Sequence, residues 1–385
     1  MKIKSRLYNT IVGILSQHRK WLDIRHMFTL AWIVVGLIKS EKVSLTAWIP
    51  HVESRAQYAQ STQRRFQRWF YNDRIHVSSL YSPLIQGALA EWGDHTLYLA
   101  LDTSRLLEDY CLIRISVIYR GRAVPVVWRV LEHKSNNVSY QAYKEFLDHA
   151  ANLLPEGVRV VFLADRGFAD TELMKHVRKL GWHHRIRIKK SFLVYCEGQW
   201  RSVDEFGLQP GEALFLNDIY LTAGEYGPVN LALGYHPDET ERWYIASDEP
   251  VSIETFCEYG KRFDIEENFL DDKSNGFQLE DSQLGSAEAL ERLCMVLAVA
   301  TLYLVSQGVE VVSKGKRRLV DPHWFRGSSY LKIGWNWVKT ALSKGWRLCR
   351  KLCLTGNSDP EPAMASFRSA SNGLLPAFQV VCHSP

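Results

Sequence analysis

The chain has 385 residues, of which 46% are hydrophobic and 23% are charged. This composition excludes a chain that is disordered throughout, because it provides enough apolar surface to bury a sizeable core. The net charge of +5 and the pI of about 8.7 are compatible with a polyanionic partner but do not require one. The seven cysteines are scattered without a CxxC pair, which argues against a disulfide framework and favours a reducing cytoplasm.

Two apolar runs bear on a membrane location, Met27–Ile38 and Leu293–Val305. Each has only about 12–13 residues, whereas a helix needs about 20 apolar residues to cross a bilayer. Both runs are therefore predicted to be buried core helices. The N-terminus also lacks the pattern of a signal peptide. We expect a soluble, cytoplasmic, nucleoid-associated protein with no membrane partner.

Residues 1–92 are predicted to form a helical, DNA-binding domain, because apolar positions recur there at three- and four-residue steps. Ser61 or Thr62 could cap a helix that runs through Gln63–Phe70. An ordinary amphipathic helix with a solvated basic face is an equal alternative, since the motif alone is weak. In the functional interpretation, the outer face of this helix offers three arginines to DNA phosphates: Arg64, Arg65 and Arg68.

Residues 93–190 are predicted to be the first part of an α/β core. A meander of three strands comes first, and a helix, a strand, a second helix and a last strand follow: Leu97–Asp102, Cys111–Tyr119, Ala123–Leu131, Ser139–Leu154, Val158–Ala164, Thr171–Leu180 and His184–Ile188. This order indicates a ribonuclease-H-like mixed sheet flanked by helices. The first and fourth strands lie side by side and parallel in that fold. Asp102 and Asp165, which end these two predicted strands, should therefore be neighbours.

The remaining chain is divided by its composition. Residues 191–241, rich in Gly, Pro, aromatics and short alternating runs, are predicted to form a β-rich insertion. Residues 242–310 return to the core and include a helical stretch from about Ser252 to Asp271. Residues 311–385 form a basic region with a loosely ordered tail. It contains eleven Lys or Arg and only one acid between residues 311 and 353. This region could therefore bind DNA, support dimerisation or be a solvated helix.

Four polar residues share one stripe of the predicted helix: Tyr259, Arg262, Glu266 and Lys273. Their projections fall within about 60° of one another at 100° per residue. A carboxylate flanked by two cations and a phenol suits the binding of a metal and a phosphate. Salt pairs on a solvent face, worth about 0.2–0.5 kcal/mol each, are the alternative that spacing alone favours.

These spacings resemble a known family. The segment Tyr259-x2-Arg262-x3-Glu266-x6-Lys273 matches the Y-R-E-K signature of the DDE transposases of insertion-sequence family four. Leu99–Ser104 resembles the strand that carries this family's first Asp, and Leu163–Phe168 resembles its second-Asp motif. The resemblance covers roughly residues 95–305, including the β-rich insertion. It implies a cut-and-paste transposase that excises DNA through a hairpin.

The resemblance also implies roles for residues. Asp102, Asp165 and Glu266 would be the catalytic triad and would bind two Mg²⁺ or Mn²⁺ ions, which prefer such oxygen ligands. Arg262 and Lys273 would contact phosphates near the cleavage site.

Aromatic residues would complete the DNA site. By the resemblance, Tyr259 would help to hold the strand end or the hairpin. Trp243 and Trp200 could each be a platform for a flipped base, although a buried core tryptophan is the more common explanation for both.

The implied partners are double-stranded DNA, as terminal inverted repeats and target, and a second copy of the chain in a homodimer on DNA. Two alternatives remain open at this point. One is an inactive, domesticated DNA-binding regulator with the same fold, and the other is a different ribonuclease-H-like nuclease. A nucleotide-driven enzyme is disfavoured because the chain has no G-x4-G-K-[ST] loop.

Overall fold

The structure is a computed structural model that describes residues 5–17, 21–54, 56–222, 224–236, 242–326, 328–362 and 378–381. Most of the predicted loosely ordered tail lies outside the described residues. The helices in the described part are α1 Arg6–Leu15, α2 Ile24–Ser40, α3 Leu45–Trp48, α4 Ala59–Phe70, α5 Val77–Ala88, α6 Lys144–Ala151, α7 Thr171–Lys179, α8 Ile253–Gly260, α9 Phe263–Leu270, α10 Ala287–Ser313 and α11 Tyr330–Lys344. The strands there are β1 Thr96–Leu106, β2 Tyr110–Tyr119, β3 Arg122–Glu132, β4 Arg159–Ala164, β5 His183–Arg187, β6 Leu193–Cys196, β7 Gln199–Ser202, β8 Glu212–Leu221, β9 Tyr226–Tyr235, β10 Arg242–Ser247 and β11 Gln379–Val380.

The strands form one mixed sheet in the order β3-β2-β1-β4-β5-β10-β9-β8-β6-β7, with β11 beside β8. β4 pairs in parallel with both β1 and β5, while β1, β2 and β3 form an antiparallel meander. This topology confirms the predicted ribonuclease-H-like arrangement. The β-rich insertion extends the same sheet, because β9 and β8 continue it beyond β10. The division of the chain into domains stays a prediction.

Both apolar runs are core helices, as predicted. The first lies in α2, and the second lies in α10, which also packs against α2, α4, α5 and α11. Among the described residues, α10 is the helix long and apolar enough to cross a membrane, but 94% of its most apolar window is buried in protein. The helix α11 crosses α10 so closely that a Cβ at Gly334 would collide with the carbonyl of Leu304.

Two predicted helix starts are wrong. α4 begins at Ala59, so Ser61 and Thr62 lie within its first turn instead of capping it. Ser139 precedes a short 3-10 turn rather than capping a long helix, and α6 begins only at Lys144. In both places the predicted first residue does not begin the helix. The helix α4 starts two residues before Ser61, and α6 starts five residues after Ser139.

The helix α9 is fastened to the sheet by buried ion pairs. Arg114 of β2 is fully buried and donates to Asn268 Oδ1 at 2.8 Å and to Asp272 Oδ2 at 2.7 Å. Arg122 of β3 donates to Asp271 Oδ2 at 2.6 Å. Because these acids follow α9 directly, the pairs fix where the helix lies on the sheet.

Candidate active site

The strand register brings two of the predicted acids together. Leu101 and Ala164 form the last pair of the parallel β1–β4 ladder, and Asp102 and Asp165 are the next residues on the two strands. β4 ends there, whereas β1 continues to Leu106 against β2. Asp102 therefore lies within its strand and not at its end, which corrects the predicted boundary but leaves the two acids adjacent.

The predicted helical stretch is two helices. Ser252 caps α8 with a capping box, and α9 starts after a break between Gly260 and Phe263. Tyr259 ends the buried face of α8, and its hydroxyl lies 3.5 Å from Asp165 Oδ1. This contact links the helices to the end of β4.

Arg262 joins the other two acids. It lies at the break between the helices, with a side chain only 4% exposed. Its Nη1 donates to Asp102 Oδ2 at 2.9 Å, and its Nη2 donates to Glu266 Oε1 at 2.5 Å. Charge-assisted bonds of this kind are short and directional. One guanidinium thus holds an acid from β1 and an acid from α9 in a fixed relation.

The pKa of Asp102 is changed by its burial and by the charges around it. Burial raises the pKa of Asp102 to about 6, and the charges of Glu266 and Asp165 add to the rise. Arg262 and the amide of Thr103 lower this pKa, but they do not outweigh the burial. Asp102 is therefore held in a site where a second positive charge would be favourable.

The side chain of Lys273 has a different partner from the other three residues of the predicted stripe. The helix changes to a π turn at residues 271–275, and the 100° rule no longer applies there. The Lys273 ammonium lies 3.6 Å from Glu280, and no contact with Asp102, Asp165 or Glu266 is found among the described residues. The α-helical spacing behind the prediction therefore ends before Lys273, and a shared face for all four residues stays a prediction.

The remaining predicted DNA contacts are Trp243, which lies beside the site, and the three arginines of α4. Trp243 is half-buried and packs edge-on against Tyr259 at 5.3 Å and near Phe263 at 5.8 Å, so it borders the site. The α4 arginines belong to a helix that packs on α2, α3 and α10. In α4, the side chains of Arg64 and Arg68 are exposed, while Arg65 is partly buried.

A cleft of about 950 Å³ opens beside Asp102 and Asp165. Among the described residues, neither Glu266 nor Arg262 lines it, but Arg262 links Glu266 to Asp102, which does. The cleft also holds cations and amides that the sequence prediction missed: Asn136, Asn137, Arg166, Arg187, Lys189, Lys190 and Arg242. Their signal was present, since two lysines directly follow the buried strand β5. The cleft thus carries both acidic and basic side chains.

The donor chemistry of the acids can be tested against a divalent cation. The part of the chain that the structure describes contains no group of three or more His, Cys, Asp or Glu side chains able to hold a metal ion. Asp102 and Glu266 nevertheless present carboxylate oxygens to one shared cation, the guanidinium of Arg262. Hard cations such as Mg²⁺ prefer such ligands. Asp102 and Glu266 are therefore chemically suited to hold a divalent cation.

This fold is that of ribonuclease-H-like enzymes, with Asp102 and Asp165 adjacent in the strand register. The family follows from comparison with known proteins. The profile described as "Transposase DDE domain" matches residues 108–303, slightly more than half of the chain, so the chain belongs to this family. The matched span includes Asp165 and Glu266 and begins just after Asp102.

The other comparisons add less. Comparison with curated proteins gives no match. The chain is similar to piggyBac transposase in the cryo-EM structure of its synaptic complex with hairpin DNA, with 12% identity over 89% of this chain and 79% of that chain. The TM-score is 0.46.

Proposed function

We propose that this protein is a transposase that cleaves DNA strands at the ends of an insertion sequence and joins them to target DNA. The observation that carries the proposal is the meeting of Asp102 and Glu266 on Arg262, with Asp165 adjacent in the sheet register. Family membership supports the same activity. We further propose a cut-and-paste route through a hairpin, as the Y-R-E-K resemblance implies, and a cytoplasmic homodimer on DNA.

In this proposal the three acids would hold divalent cations, which enzymes of this family generally use. Two Mg²⁺ or Mn²⁺ ions would activate the attacking hydroxyl and stabilise the leaving oxygen. Arg262 would then be free to grip a phosphate, because a cation would take over its carboxylate partners. Tyr259 would steer the strand end toward Asp165, and Trp243 would offer a ring face beside it.

The test uses a duplex with the inverted repeats that flank the coding region. With Mg²⁺ or Mn²⁺ we expect a nick at the repeat end, followed by a hairpin that runs at double length on a denaturing gel. EDTA should prevent both products. Binding without any cleavage would contradict the proposal and favour the regulator. Cleavage without hairpin or strand joining would favour a different ribonuclease-H-like nuclease.

The basic residues that line the cleft give a separate prediction. Lys189 and Lys190 are exposed and line the cleft. The hydrogen bonds found to them among the described residues are accepted by their backbone carbonyls. The double variant Lys189→Ala/Lys190→Ala should weaken binding to the repeat duplex, and the log–log slope of affinity against salt should fall by roughly 1.8 for two lost phosphate contacts. Fluorescence anisotropy over a salt series measures both effects.

A matched control removes two positive charges elsewhere. Lys175 and Lys179 lie exposed on α7, outside this cleft. The variant Lys175→Ala/Lys179→Ala should bind the repeat duplex with the salt slope of the unchanged protein. An equal loss in both variants would show that total charge matters and would remove the cleft from the DNA path.

A further inference from the structure

The C-terminal strap, residues 346–354, crosses the core helix in one fixed position. It follows α11, which ends at Gly345 in the left-handed conformation. The fully buried amide of Gln307 bonds both the N–H and the C=O of Cys349, each at 3.0 Å. Ser306 Oγ accepts from the Cys353 amide, also at 3.0 Å. Buried polar groups that are satisfied in this way specify one arrangement.

Both ends of the strap are also tied. The Leu354 amide donates to Ala88 O at 2.9 Å, and Lys351 pairs with Glu91 at 2.9 Å. At the other end, the guanidinium of Arg6 on α1 donates to the carbonyls of Ala341 and Trp346. α1 and the strap therefore form a rigid pair.

A cleft of about 550 Å³ lies between α1 and the strap, and we call it the arginine cleft. No acid lines it: the lining residues in the described chain are Arg6, Asn9, Thr10, Arg347, Leu348 and Arg350. Arg347 and Arg350 are exposed, and neither has an acidic partner among the described residues. The fixed backbone thus presents two uncompensated guanidinium groups beside a third.

The positive surface continues from the arginine cleft along the protein. Lys344 lies over the ring of Trp346 at 5.0 Å, and Lys316 lies over the ring of Trp337 at 5.6 Å. The two rings pack together at 5.1 Å. A continuous row of cations fits an extended polyanion better than a single small anion.

The arginine cleft is separate from the cleft that holds Asp102 and Asp165. The chain just beyond the strap meets the β2–β3 turn, where Arg120 donates to Asn357 O. That turn lies at the end of the sheet where β1 begins, whereas Asp102 follows six residues along β1, roughly 20 Å away at about 3.3 Å per residue. The arginine cleft and the cleft beside Asp102 and Asp165 share no lining residue among the described residues.

We propose that the arginine cleft binds the phosphate backbone of duplex DNA at a second place, outside the catalytic cleft. The inference rests on the proposed function, and it adds a contact that would hold DNA away from the cleavage point. Arginine suits this role because its planar fork of donors matches phosphate oxygens. Contacts to phosphates alone position a duplex without reading its sequence.

The test measures binding without chemistry. The variant Arg347→Ala/Arg350→Ala and the unchanged protein are titrated into a labelled 40-base-pair duplex in EDTA over a range of KCl. We expect affinity to fall roughly ten- to a hundredfold near 0.1 M salt and the salt slope to fall by roughly 1.8. The variant should keep the thermal unfolding midpoint of the unchanged protein, since both side chains are exposed.

Three further arms make the result specific. The α7 variant Lys175→Ala/Lys179→Ala should bind as the unchanged protein does, and Arg347→Lys/Arg350→Lys should recover part of the affinity. Inorganic pyrophosphate should compete only at concentrations far above those of DNA phosphate. Unchanged affinity and slope in Arg347→Ala/Arg350→Ala, or pyrophosphate binding as tight as that of DNA, would overturn the inference. Failure of repeat cleavage alone would count against the proposed function and not against this cleft.

Discussion

Replacing Glu266 with Gln is expected to reduce strand cleavage by roughly a thousandfold or more, because several kcal/mol of transition-state stabilisation depend on that carboxylate. Asp102→Asn and Asp165→Asn should have losses of the same order. The measurement is single-turnover nicking of the repeat duplex with saturating Mg²⁺. Binding of the same duplex should survive in all three variants, since the cleft lysines and arginines are untouched.

The neighbouring residue is the matched control. Glu267 lies 3.7 Å from Arg122 on the other side of α9 and is half-exposed. Glu267→Gln should therefore cleave at nearly the normal rate. If Glu266→Gln cuts normally, or if Glu267→Gln is the variant that loses cleavage, the assignment of the helix-borne acid is wrong.

A loss of cleavage in Asp102→Asn should not come from unfolding. The pKa of Asp102 is raised to about 6 in the folded protein from an ordinary value of 3.8. Ionised Asp102 is thus disfavoured by folding, so its contribution to stability is lost as the pH rises from about 4 through 6. At pH 7 this cost is at most about 3 kcal/mol. Asp102→Asn carries no charge and should unfold at pH 7 at the same or a higher temperature than the unchanged protein.

The largest effect on stability is expected from Arg114→Met. This change leaves the carboxylate of Asp272 and the amide of Asn268 buried without their shared partner. Breaking one side of a buried pair typically costs about 3–5 kcal/mol. Burial already raises the pKa of Asp272, and the change removes the charge of Arg114 that opposes this rise. Urea unfolding followed by tryptophan fluorescence should show a clearly lower midpoint.

An exposed arginine on the neighbouring strand provides the comparison. Arg105 on β1 donates only a long bond of 3.4 Å to Glu108 O. Arg105→Met should change the free energy of unfolding by no more than about 0.5 kcal/mol. If both variants unfold at the same midpoint, the buried network does not hold α9 on the sheet.

Local patterns were enough for the order of elements. The strands before Asp102 and Asp165 were predictable because their side chains are buried on both faces and read as continuous apolar runs. The short spacing from Tyr259 to Glu266 also survived the helix break, since all three of its polar residues reach the same end of the sheet. By contrast, the longer step to Lys273 crosses a π turn, where the spacing of an α-helix no longer holds.

Tertiary structure alone decided which distant residues share a site. By itself, the sequence determined the succession of strands and helices, the acids at the ends of two apolar runs, and the polar stripe of α8 and α9, because these depend on local periodicity. It could not show that Arg262 lies between Asp102 and Glu266, or that Arg114 pairs with Asp272. Nor could it place Lys189 and Arg242 in one cleft with Asp165. Such pairings follow from how the sheet and helices pack, and no local spacing encodes them.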